Sequence, residues 1–168
     1  MNGSTRMFHL VTIFVALAVA LLNKCQADLI SDFCVKSNNP TLCTNTLRSD
    51  PRSKGADARG MATIAIKKAE EATQASINVA KSLLNSGNKE IISTCIENFS
   101  SAVANIKECE SLLNRRDIGT LRSIGSTALT DVGTWSDEFG ANEPPKLKEA
   151  SGKADTFVQL LLIIANSL

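Results

Sequence analysis

Residues 92–113 read ISTCIENFSSAVANIKECESLL. Within them Ile92, Cys95, Phe99, Ala102, Ile106, Cys109 and Leu113 recur at steps of three and four. That spacing lays seven apolar or thiol side chains along one stripe of an α-helix, the pattern of a helix that buries one face. Glu97, Lys107, Glu108 and Glu110 fall outside the stripe and suit a solvated face.

Three further segments carry the same kind of seam. Upstream, Ala58, Ala62, Ala65, Ala69, Ala72, Ser76, Val79 and Leu83 step by four and three, and the small residues imply close helix approach. Downstream, Leu121, Ile124, Ala128, Val132, Trp135 and Phe139 form a seam with one irregular step. Leu147, Ala150, Ala154, Phe157, Leu161, Ile164 and Leu168 form the last one. Breaks at Ser86-Gly87-Asn88, Asn114 to Gly119 and Gly140 to Pro145 separate the segments. Short connections make neighbouring helices antiparallel, so residues 54–168 are predicted to be an up-down-up-down four-helix bundle in an all-α fold. Trp135, the one tryptophan, falls on the third seam and is expected in the core; Gly133 beside it implies a local packing reason.

Residues 28–53 read as a short helical hairpin appended to the bundle. Pro40 suits the first position of its second helix, where its missing N–H costs nothing, and Asn39 can cap that helix. Cys34 and Cys43 flank the turn with eight residues between them, within reach of a disulfide.

Residues 1–27 read as a secretory signal peptide. Arg6 supplies the positive start, Leu10 to Leu22 is an apolar run of thirteen, and Cys25-Gln26-Ala27 offers a cleavage site after Ala27. The run falls short of the ~20 residues of a membrane span. Removal leaves 141 residues, without Cys25 and without His9, the one histidine. Four cysteines then remain in a secreted, disulfide-permissive context. Cys95 and Cys109 lie fourteen apart on one helix, about 21 Å, while a disulfide needs Cα atoms within roughly 7 Å. Both are expected to be unpaired, buried thiols.

The remaining chemistry points away from catalysis. Without histidine the chain lacks the usual near-neutral base and the commonest metal ligand. No cofactor and no metal are implied. The acidic groups Glu70-Glu71, Glu108/Glu110 and Asp137-Glu138 are neighbours on helices and read as solvated faces, not a catalytic pair across a cleft. Without Arg6 and Lys24, 16 basic residues stand against 17 acidic ones, and no basic stripe suggests nucleic acid. The apolar end FVQLLLIIANSL could serve as a lipid-anchor tail, but it continues the fourth seam and is expected in the core. Asn98-Phe99-Ser100 is a glycosylation sequon, beside the seam and inside a helix.

Several stretches, in order, resemble the plant invertase and pectin methylesterase inhibitor family. LISDFCVKSNNPTLCTNTLRSDPRSKGAD, residues 29–57, is similar to the family's opening: two cysteines eight residues apart, then L-x-S-D-P. TCIENFSSAVANI, residues 94–106, resembles its Cys-x-E-x-aromatic-x-x-A-V segment. STALTDVGTWSDEF, residues 126–139, resembles its S-A-A-L-T…T-C-x-D-x-F segment. The resemblance implies a secreted apoplastic inhibitor, not an enzyme, that blocks the cleft of a cell-wall enzyme by stoichiometric non-covalent binding. It also implies that family members carry a cysteine where Trp135 stands, bridged to the position of Cys95; here Trp135 is expected to fill that inter-helix space. The implied contact face comprises Glu97, Ser101 and Asn105 on one helix and Thr130, Asp131 and Thr134 on the next. A glycan on Asn98 would crowd it. Arg116-Asp117-Ile118-Gly119-Thr120 lacks the Pro-Lys-Phe of the invertase branch, so pectin methylesterase is the expected partner, with acid invertase as the alternative. A diverged non-inhibitory member and a carrier of an apolar ligand are the other readings. After signal cleavage no membrane association is expected.

Overall fold

The structure, a computed structural model, describes residues 3–85, 88–134, 139 and 142–168. Its described helices are α1 (Gly3–Cys34), α2 (Pro40–Ser49), α3 (Ala58–Leu83), α4 (Lys89–Asn114), α5 (Ile118–Gly133) and α6 (Pro145–Ala165). A 3-10 turn, Pro51–Ser53, joins α2 to the approach of α3. Among the described residues there is no strand.

Local chemistry sets the helix starts. Asn39 Oδ1 accepts from the Leu42 N–H at 3.0 Å, with Pro40 in the first helical position, as its sequence suggests. Asp57 Oδ1 accepts from the Gly60 N–H at 2.8 Å and opens α3. Between α4 and α5, the Asp117 N–H reaches the Leu112 carbonyl (3.0 Å) and the Arg116 N–H reaches that of Leu113 (3.1 Å). That pair of bonds is a Schellman closure, and it holds Arg116 at φ +62°, a place usually left to glycine. Asp117 then caps α5 by accepting from the Thr120 N–H at 3.1 Å.

The four long helices stand at the corners of a square: α3 packs on α4 and α6, and α5 packs on α4 and α6. Cross-helix contacts run in opposite chain directions on three of the sides. Arg59 near the start of α3 donates to the Leu113 carbonyl near the end of α4. Cys109 meets Leu121, and further up Ser101 meets Asp131. Arg122 reaches the Ala165 carbonyl at the end of α6. The bundle is therefore up-down-up-down.

All seven residues of the α4 stripe are buried. Phe99 is its largest member and is fully enclosed. The other seams hold in part. In α3, Ala62, Ala65, Ala69 and Ser76 are buried, but so are Met61, Ile64, Ile66, Thr73, Ile77 and Ala80, because the helix is covered by α4, by α6 and by the 3-10 turn. In α6, Leu147, Ala154, Phe157, Leu161 and Ile164 are buried together with Val158, Leu160 and Ala165. Its apolar end is core, as expected, although the last seam residue, Leu168, is exposed.

The hairpin closes over one side of this bundle. Cys34 and Cys43 form the predicted disulfide, with Cα atoms 5.5 Å apart. Ile30, Phe33 and Leu47 join the same core cluster as the bundle seams. Asn38, in the turn, hydrogen-bonds the Asp155 carboxylate and accepts from Thr156 Oγ1 at 2.9 Å, which pins the turn to α6. The first hairpin helix is the end of α1, which runs without a break from Gly3 through positions 27 and 28 to Cys34.

Glycines and surface carboxylates add two details. A Cβ on Gly133, the last residue of α5, meets nothing within 4 Å among the described residues. The packing glycine is Gly125: a Cβ there would lie 2.9 Å from Leu162 Cδ2 and 3.9 Å from Cys109 Sγ, so its absence lets α5 approach α4 and α6. Second, Glu70 and Glu110 are not merely solvated. Lys67 on α3 bridges Glu70 (3.4 Å) and Glu110 on α4 (3.0 Å), and Lys107 reaches Glu70 at 3.5 Å, a charged lacing across two helices. Such half-exposed pairs contribute little each, typically under ~1 kcal/mol. Trp135 and the Asp137-Glu138 pair lie outside the described residues.

Candidate functional site

Glu97, Ser101 and Asn105 recur at four-residue steps along α4, Thr130 and Asp131 lie in the last turn of α5, and Thr134 is its C-cap residue. Antiparallel packing brings the two groups level. Ser101 Oγ donates to Asp131 Oδ2 at 2.9 Å, and Asn105 Nδ2 donates to the same oxygen at 3.0 Å. Three of the six residues are thus joined into one inter-helix cluster. Glu97, Thr130 and Thr134 are not part of it. Both threonine hydroxyls donate back to their own helix, Thr130 to the Ser126 carbonyl (3.1 Å) and Thr134 to that of Thr130 (2.6 Å). Their oxygens retain lone pairs for a partner. Ser101, Thr130, Thr134 and Glu97 are exposed, whereas Asn105 and Asp131 are half-buried between the helices. Asn98, half-buried, lies on the same side of α4 as Ser101 and Asn105, one turn before Ser101.

Under this face lie Cys95 and Cys109, both buried thiols. Burial, with the Glu108 charge adding to it, pushes the Cys109 thiol up to about 11. It stays protonated at any physiological pH and is a packing residue, not a nucleophile. No group of three or more His, Cys, Asp or Glu side chains among the described residues could hold a metal ion. Elsewhere the perturbed carboxylates have structural causes. The Arg52 side-chain hydrogen bonds draw Asp50 down to about 2, against the cost of its burial, and the Arg52 backbone N–H and Lys68 add to this. Burial pushes Asp155 up, partly offset by the Asn38 hydrogen bond.

A groove of about 300 Å³ on the α3–α6 side is lined by Ala72, Ala75, Val79, Lys146, Glu149, Ala150 and Lys153. None of these residues is buried, so the groove lies outside the core and offers no interior pocket for an apolar ligand. Among the described residues no helix is long and apolar enough to cross a membrane.

The arrangement suits recognition: a rigid two-helix surface of hydroxyl, amide and carboxylate groups over a packed core. The family resemblance named these six residues, and five of them lie within α4 and α5, with Thr134 at the α5 C-cap. It did not show that Asp131 is the common acceptor, since that depends on which side chains of the two helices face each other.

Comparison with known proteins points the same way. The family model described as plant invertase/pectin methylesterase inhibitor matches residues 28–168. A pectinesterase inhibitor of Actinidia deliciosa is 31% identical over 151 residues, which cover 86% of this chain and 82% of that protein. Pectinesterase inhibitor 2 of Arabidopsis thaliana is 24% identical over 152 residues, covering 88% and 87%. The crystal structure of a mutant form of a pectin methylesterase inhibitor from Arabidopsis superposes with a TM-score of 0.74 at 20% identity, covering 83% of this chain and 96% of that one, a likeness of fold.

Proposed function

Because the chain belongs to the plant invertase/pectin methylesterase inhibitor family, we propose that it is a secreted inhibitor of pectin methylesterase. It acts by stoichiometric, non-covalent occlusion of the enzyme's cleft. The observation that carries this reading is the 31% identity to a pectinesterase inhibitor across 82% of that protein's length. Members of this family are inhibitors and not enzymes, and the face described above has the character that role needs. It is polar and held on two packed helices, with Glu97, Ser101, Thr130 and Thr134 exposed. Rigid presentation lowers the entropy lost on association.

Secretion rests on residues 1–27 acting as a cleaved signal. In the uncleaved chain Phe8, Leu10, Val11, Ile13, Phe14, Val15 and Leu17 are each more than half exposed on α1. A helix that holds so much apolar surface in water is a poor part of a mature soluble fold. The family match begins at residue 28, the first residue after the proposed cleavage point. Cleavage leaves a short hairpin helix ending at Cys34, tied down by the disulfide and by Asn38.

Invertase is the second reading, since the family's description spans both enzymes. The test is a parallel assay of residues 28–168, produced in an oxidising compartment, against a plant pectin methylesterase and a plant acid invertase at mildly acidic pH. Loss of esterase activity with invertase untouched supports the proposal. The opposite selectivity moves the chain to the invertase branch.

A further inference from the structure

We infer that Asp131 is a positioning residue that fixes α4 and α5 against each other for partner binding, through the two hydrogen bonds its carboxylate accepts from Ser101 and Asn105. The inference rests on the proposed use of this face for inhibition. At one end the helix pair is set by the tight turn, by the Cys109–Leu121 contact and by the close approach at Gly125. The opposite end has no such constraint in covalent form: α5 contains no cysteine, so no disulfide can tie it to α4. Asp131 stands two residues before the end of α5, about 20 Å along the helix from the turn.

Its geometry suits a register pin. One oxygen, Oδ2, takes hydrogen bonds from donors four residues apart on α4, at 2.9 and 3.0 Å. A slide of α5 by one residue, about 1.5 Å along the axis, or a rotation about it, would break at least one of them. Both bonds have a charged acceptor and neutral donors, so they are stronger than neutral bonds without being an ion pair that salt dissolves. Asn105 and Asp131 are half-buried between the helices, where a partner would reach them less readily than the exposed Thr130 and Thr134 that flank Asp131. Asp131 thus acts through the spacing it gives those neighbours and Glu97.

The test uses residues 28–168 with Asp131→Ala and with the exchange pair Asp131→Asn plus Asn105→Asp, which keeps a charge-assisted inter-helix bond while moving the charge to α4. Amide hydrogen exchange of the inhibitor alone and titration against the target enzyme are read together. Asp131→Ala is expected to raise exchange in residues 126–134 and to weaken inhibition about tenfold, and the exchange pair to return both to within about twofold of the parent. Unchanged exchange in Asp131→Ala overturns the inference. So does an exchange pair that restores exchange protection but not inhibition, because Asp131 would then touch the target itself. A parent protein that inhibits neither enzyme defeats the functional reading alone; the exchange data still decide whether Asp131 pins the helices.

Discussion

Removing the Cys34–Cys43 disulfide should cost global stability, not merely loosen the N-terminal hairpin. The bond joins residues nine apart, so it closes a loop of about ten residues. The chain-entropy relation for a loop of that length gives about 2.7 kcal/mol at 25 °C. The location of the loss follows from packing. Ile30, Phe33 and Leu47 belong to the same core cluster as Phe157, Leu161 and the α4 stripe, and Asn38 is hydrogen-bonded to α6. A hairpin sharing the core unfolds with it. Cys34→Ala/Cys43→Ala, made in residues 28–168, is therefore expected to remain cooperative and to melt roughly 8–12 °C below the parent, given the Tm sensitivity of a chain of this size. Circular dichroism at 222 nm, with and without reductant for the parent, measures it. A melting temperature within about 2 °C of the parent would refute the reasoning, because the hairpin would then lie outside the cooperative unit.

Three further outcomes follow from single residues. Arg116 pays for its positive φ, so Arg116→Gly should stabilise by about 0.5–1 kcal/mol, read as a higher urea midpoint. Asp50 is held near 2, below its ordinary 3.8, so its contribution is complete above about pH 4 and is lost as pH falls toward 2. Urea midpoints between pH 5 and 2.5 should decline less steeply in Asp50→Asn than in the parent. Asn98 is half-buried within continuous α4, and Ser100 Oγ is engaged with the Ile96 carbonyl at 2.6 Å, so the chain expressed through a eukaryotic secretory pathway should carry no glycan there. Intact mass checks this, and a mass raised by a glycan that Asn98→Gln removes would contradict it.

Much of the fold was legible because bundle seams are periodic. The α4 stripe needed only counting, and Asn39-Pro40 announced the start of α2. Counting failed where one helix has several partners: a single stripe cannot describe α3, which is covered on more than one side, so Met61, Ile64 and Ile77 were missed. Gly125 and Gly133 look alike in sequence; only the facing Leu162 distinguishes them. Glu110 gains Lys67, and Glu70 gains Lys107, from a neighbouring helix, which no local pattern reports. At the candidate face the residue types and helices were readable from the family resemblance. The Ser101–Asp131–Asn105 cluster was not, since it depends on which side chains two separate helices bring face to face.

The central claim is stoichiometric, non-covalent inhibition of pectin methylesterase. A tight-binding titration of the enzyme with residues 28–168, at enzyme concentrations well above the dissociation constant, tests it most directly. Activity should fall linearly to zero at one inhibitor per enzyme, and full activity should return when the two proteins are separated under denaturing conditions that the enzyme survives. Undiminished esterase activity at a several-fold excess of folded, helical protein would contradict it.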